Sequence, residues 1–63
     1  KMSNYWSTSE VAAYLEIKDK TVIRWIGSGK QKKEGFPKPK HTTKSHQFSP
    51  EEIKAWADGQ QFG

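Results

Sequence analysis

Residues 6–26 read WSTSEVAAYLEIKDKTVIRWI, and the way this stretch divides into helix, break and helix decides the fold. Ser7-Thr8-Ser9-Glu10 has the form of a capping box. In such a box the serine accepts from the backbone three residues on, and the glutamate there reaches back to the serine's own N–H. Trp6 and Val11 stand where a hydrophobic staple closes, so a helix is expected to begin here. Val11, Ala12 and Leu15 share one narrow face with Thr8, and the small Ala12 lets a second helix approach closely. The pattern breaks around Glu16-Ile17-Lys18-Asp19, with Ile17 expected to point inward. It then resumes: Val22, Trp25 and Ile26 fall within about 100° of arc, while Lys20, Arg24 and Gly27 point the other way. Asp19 is the best local N-cap by residue type, and Gly27, Ser28 and Gly29 should end the helix. Two short helices joined by about three or four residues, with a small residue at the contact, describe a helix-turn-helix unit over about 7–28.

Working outward, residues 29–35 form a polar connector without periodicity. Phe36, Pro37 and Pro39 then impose extended backbone, because proline and the residue before it avoid the helical region. The segment 36–48 reads as a short, irregular two-stranded hairpin with Phe48 anchoring its return arm in the core. Ser49-Pro50-Glu51-Glu52 is a second capping box with proline at the first helical position, and it predicts a closing helix over 49–58. Ile53, Trp56 and Ala57 are its expected buried stripe, Gly59 its end, and 59–63 a loose tail. The expected class is therefore mainly α with a small β-hairpin. Trp25 and Trp56 are read as core residues.

Composition narrows the function. A chain of 63 residues without cysteine offers neither disulfides nor thiolate metal ligands, and its two histidines, His41 and His46, make a poor zinc pair. No metal and no cofactor are expected. No apolar run approaches the ~18 residues of a membrane span, and the N-terminus lacks a signal-peptide core, so a cytoplasmic location is expected, with no membrane partner. Met2 is the expected natural start, and Lys1 is given no weight. There is no nucleophile beside a base, no phosphate-cradling glycine loop and no paired carboxylates, which argues against an enzyme. The net charge of +4 is unevenly placed: residues 30–46 hold six lysines against the single Glu34, whereas the remainder carries five cations and six acids. One strongly basic segment is the pattern of a domain that docks on a polyanion through one face.

Across residues 6–57 the chain resembles the AlpA and excisionase group of small MerR-like winged helix-turn-helix proteins from phages and mobile elements. STSEVAAYL is similar to the family's first helix and TVIRWI to its recognition helix, GFPKP to the lead-in to its wing and FSPEEIKAW to its closing segment. The resemblance implies a sequence-specific double-stranded DNA-binding protein, an excisionase or an AlpA-like transcriptional regulator, with Lys20, Thr21 and Arg24 facing the major groove. Arginine can grip guanine bidentately, and Ile23 at the edge of that face can touch a thymine methyl. Lys40, Thr43, Lys44 and His46 would follow the backbone from the wing, lysine serving where the family commonly has arginine. The family commonly has glycine where this chain has Glu16, and a serine cap where it has Lys18. If Glu16 takes a positive φ, a strain of about 1 kcal/mol is expected. The connector to Phe36 is also several residues longer than usual.

The resemblance further implies partners: duplex DNA, an integrase or other recombinase or RNA polymerase, and cooperative copies of the chain on adjacent DNA sites. With no heptad repeat, a free monomer is expected. Two other readings stay open, the DNA-recognition domain of a phage packaging (small terminase) subunit and a protein-interaction adaptor that uses the same basic face.

Overall fold

The computed structural model describes residues 4–62; the expected start at Met2 and the last residue of the expected tail lie outside the described residues. Helix α1 spans Thr8–Leu15, and its first turn closes as expected. The Glu10 N–H donates to Ser7 Oγ at 3.1 Å and the Ser7 N–H donates to Glu10 Oε1 at 2.7 Å, so each side chain satisfies a backbone donor the helix leaves open. Trp6, just ahead of the cap, packs against the cluster that holds Val11. The helix stops at Glu16, whose φ of 60° and ψ of 43° are left-handed. There the Glu16 N–H donates to Ala13 O at 3.2 Å and the Ile17 N–H to Ala12 O at 2.9 Å, the paired bonds of a Schellman closure. That closure turns Ile17 back onto the core, as its apolar character suggests.

Helix α2 spans Asp19–Ile26. Its N-cap is Lys18 and not Asp19, a correction to the expectation drawn from residue type. Lys18 caps with its carbonyl alone, accepting from the Thr21 N–H at 3.0 Å. Asp19 is instead the first helical residue, and its Oδ2 accepts from Ser9 Oγ at 2.7 Å, which ties the first turns of α1 and α2 together. An acid in the first turn also complements the helix dipole. Gly27 ends the helix as expected.

Helix α3 spans Pro50–Ala57, with Ser49 Oγ accepting from the Glu52 N–H at 3.2 Å. The second half of the expected capping box is missing. Glu52 turns its carboxylate to Lys40, with Nζ to Oε2 at 2.6 Å, and this tertiary charge competes successfully with the local backbone donor. Ile53 is fully buried and Trp56 half-buried, but Ala57 is exposed. The inward face is rotated toward Glu52 and Trp56, and Ala57 falls off its edge. Gly59, at φ 109°, closes α3 with a second Schellman pair, Gly59 N–H to Trp56 O at 2.9 Å and Gln60 N–H to Ala55 O at 3.0 Å.

The hairpin expected over 36–48 is reduced to a single antiparallel bridge, His41 with Gln47. Pro37 and Pro39 have no N–H to donate, so the incoming arm cannot extend the ladder. The return arm finds a second partner instead: Trp6 and Phe48 exchange N–H···O bonds of 2.8 Å in both directions. Three extended segments thus lie side by side, 47–48 between 5–6 and 40–41. The tail is also docked, contrary to expectation, because the Phe62 N–H donates to Gly35 O at 2.7 Å.

All three helices meet at one core of Val11, Ala12, Val22, Phe36, Phe48 and Ile53. Aromatic rings extend it: Trp56 meets Phe36 edge-on at 4.9 Å, Trp25 meets Phe36 at 5.3 Å, and the two indoles lie 5.6 Å apart. Full burial of one side chain of this size contributes roughly 1.5–3 kcal/mol, so in so short a chain a few rings carry much of the stability. Among the described residues no helix is long and apolar enough to cross a membrane.

Candidate nucleic-acid interface

With Val22 buried and Trp25 and Ile26 packed on the core, α2 turns Lys20, Ile23, Arg24 and Gly27 outward at i, i+3, i+4 and i+7. Lys20 and Arg24 are exposed, Thr21 is half-buried on the flank, and Ile23 is 44% exposed. Among the described residues neither Lys20 nor Arg24 has a carboxylate within ion-pair distance, so α2 presents uncompensated positive charge.

The basic segment flanks this face on both sides. On one side an open groove of about 390 Å³ runs between α2 and the loop, lined by Ile23, Ile26 and Gly27 from the helix and by Lys38, Pro39, Thr42 and His46 opposite. His46 is half-buried, its ring 6.3 Å from Phe48, so the loop leans on the core at that point. On the other side a depression of about 280 Å³ joins Arg24 and Gly27 to Gly29, Lys30 and Gln31. Gly27, with no side chain, lies at the margin of both.

The eight expected contact residues are therefore not one patch. Ile23 and His46 share the groove, and Arg24 lies beside Lys30. Thr43 and Lys44 line a separate notch with Tyr5 and His41. Lys40 is held by Glu52, its positive charge already answered.

Lys30, Lys38 and Thr42 were not singled out by sequence reasoning. The lysines were visible as charge, but their position depends on how the aperiodic connector folds. That fold is set by a bond back to α2, the Lys33 N–H to Trp25 O at 3.0 Å, together with a local turn bond, the Lys32 N–H to Gly29 O at 3.1 Å. Lys33 is drawn away from the exposed face: its Nζ lies 5.0 Å from the Trp25 ring centroid and 5.9 Å from that of Trp56, in cation–π range of both.

Among the described residues there is no group of three or more histidine, aspartate or glutamate side chains that could hold a metal ion. Comparison with protein-family models, with curated proteins and with solved structures yields no match.

Proposed function

We propose that the chain is a winged helix-turn-helix module that binds double-stranded DNA, with α2 in the major groove and the loop 40–46 along the adjacent backbone. The observation that carries this reading is the exposed face of α2, where Lys20, Ile23 and Arg24 stand outward, without acidic partners among the described residues, and basic loop residues lie on either side. An eight-residue helix is about 12 Å long, which suits a major groove about 12 Å wide. Ile23 is chemically matched to a thymine methyl, and Arg24 to the O6 and N7 acceptors of guanine. Its resemblance to excisionases and AlpA-like regulators makes recombination or transcription control in a phage or mobile element the context, with a recombinase or polymerase as protein partner and several copies of the chain on adjacent sites.

A competition experiment tests the reading against an adaptor that takes acidic proteins. Labelled duplex DNA bound to the chain is challenged with unlabelled duplex and, separately, with polyglutamate at equal charge. Release by duplex at far lower concentration is expected. Equal release by the two polymers would mean that the basic face reads charge alone, and would refute the proposal.

A further inference from the structure

We propose that the notch lined by Tyr5, His41, Thr43, Lys44, Ser45 and Gln47 is an anion site that takes phosphate oxygens, outside the face presented by α2. Two bridges build it. Trp6 pairs with Phe48 and His41 with Gln47, so the segments carrying Tyr5 and His41 lie on either side of 47–48. Residues 36 positions apart in the chain are thereby brought into contact: the rings of Tyr5 and His41 meet edge to face at 4.9 Å and 83°, and His41 Nε2 lies 3.2 Å from Tyr5 Oη. The notch is an open depression of about 300 Å³.

Its chemistry is one-sided. Two hydroxyl residues, an amide, an ammonium, an imidazole and a phenol line it, and among the described residues no carboxylate does. Apart from the phenol, whose hydrogen is directed at His41 when Nε2 accepts it, each of these groups can donate a hydrogen bond, and the ammonium supplies a positive charge. When Nε2 of the neutral imidazole accepts from the phenol, the ring keeps its Nδ1–H for a ligand; when the ring is protonated it donates from both nitrogens. A donor-rich concavity with net positive charge and, among the described residues, no competing acid matches a phosphate group.

The phosphate has two sources, a backbone phosphodiester of duplex DNA or free inorganic phosphate. The first rests on the DNA-binding reading above and would extend the footprint of the loop to the N-terminal segment through Tyr5. The notch also differs from the α2 face in kind, since phosphate contacts position a protein on the duplex without reading its sequence.

The test uses the full chain and two variants, Tyr5→Phe, which keeps the ring against His41, and Lys44→Ala. In one arm, inorganic phosphate is titrated while the NMR signals of the His41 ring and of the Thr43 and Ser45 amides are followed. In the other, duplex affinity is measured over a range of salt. Saturable shifts of those signals, reduced in both variants, support an anion site. If the duplex is the source, Tyr5→Phe weakens duplex binding about threefold to tenfold, and Lys44→Ala lowers the log–log salt exponent by about 0.9. Phosphate shifts with duplex binding unchanged in both variants assign the site to the free anion. No shifts and no change in duplex binding overturn the notch, even where Arg24→Ala still weakens DNA binding and the functional reading stands. Conversely, saturable phosphate shifts in a chain that binds no duplex would sustain the notch and sink the DNA reading.

Discussion

Replacing Glu16 by glycine should stabilise the protein. Glu16 sits at φ 60° and ψ 43°, where an L-residue carries a penalty of roughly 1–2 kcal/mol from the approach of Cβ to the following carbonyl. Glycine escapes that penalty but loses about 0.5–1 kcal/mol more conformational freedom on folding. The Glu16 side chain is exposed and, among the described residues, forms no ion pair, so its removal sacrifices none. Its negative charge also lies at the helix C-terminus, where the dipole disfavours it by a few tenths of a kcal/mol. The net gain is about 1 kcal/mol, and for a chain of this size that corresponds to a rise in Tm of about 4–8 °C. Thermal unfolding followed by circular dichroism reads it, with Ala13→Gly as the paired control. Ala13 is exposed one turn earlier in regular helix, and there glycine should cost about 0.5–1 kcal/mol. If Glu16→Gly leaves Tm unchanged or lowers it while Ala13→Gly behaves as stated, the left-handed closure of α1 is not the strained position described above.

Three further outcomes are expected. Gly35→Ala should destabilise by about 1–3 kcal/mol, since Gly35 lies at φ 83° and an added Cβ would collide with the side chain of Gln61; adding Gln61→Ala should recover only the steric part, as urea titrations of the single and double variants will tell. Deleting residues 61–63 removes the Phe62–Gly35 hydrogen bond and should cost on the order of 1 kcal/mol in the same assay, where an unchanged midpoint would mean the tail is merely adjacent. Glu52→Gln keeps the backbone N–H that Ser49 caps but frees Lys40; duplex affinity should rise a few-fold and the salt exponent steepen by up to about 0.9, whereas a loss of affinity would show that the pair orients the loop for binding.

The helix starts were legible because they are local. Ser7 with Glu10, and Ser49 with the Glu52 N–H, satisfy donors within a single turn, Pro50 has no N–H to satisfy, and nothing distant is needed to recognise them. The left-handed turn at Glu16 was not legible from the residue, since nothing in a glutamate announces a positive φ. What escaped sequence reading was decided by partners far along the chain. Glu52 left its capping box for Lys40, twelve residues earlier, and Asp19 gave up the N-cap for an inter-helix bond to Ser9. The hairpin shrank because the prolines that announced it also deprive it of donors, and Phe48 paired with Trp6 instead. At the candidate site, the outward face of α2 followed directly from helical periodicity. The loop cations did not, because Lys33 turns to two indoles and Lys40 to a carboxylate, and neither choice has a local signature.

These choices also set the number that the central claim must meet. Lys20 and Arg24 on the outward face of α2, Lys30 and Lys38 in the depressions that flank it and Lys44 in the loop are exposed and have no acidic partner among the described residues. About five phosphate contacts imply a log–log dependence of duplex affinity on salt with a slope near −4. The most direct measurement is that slope, taken by fluorescence anisotropy on a selected target and on random duplex, for the natural chain and for Arg24→Ala. The account predicts a slope near −4 on random duplex, and a loss of about 1–3 kcal/mol for Arg24→Ala on the target with little loss on random DNA. A slope near zero, or the same loss for Arg24→Ala on both duplexes, would contradict it: the first would remove the phosphate interface, the second the reading helix.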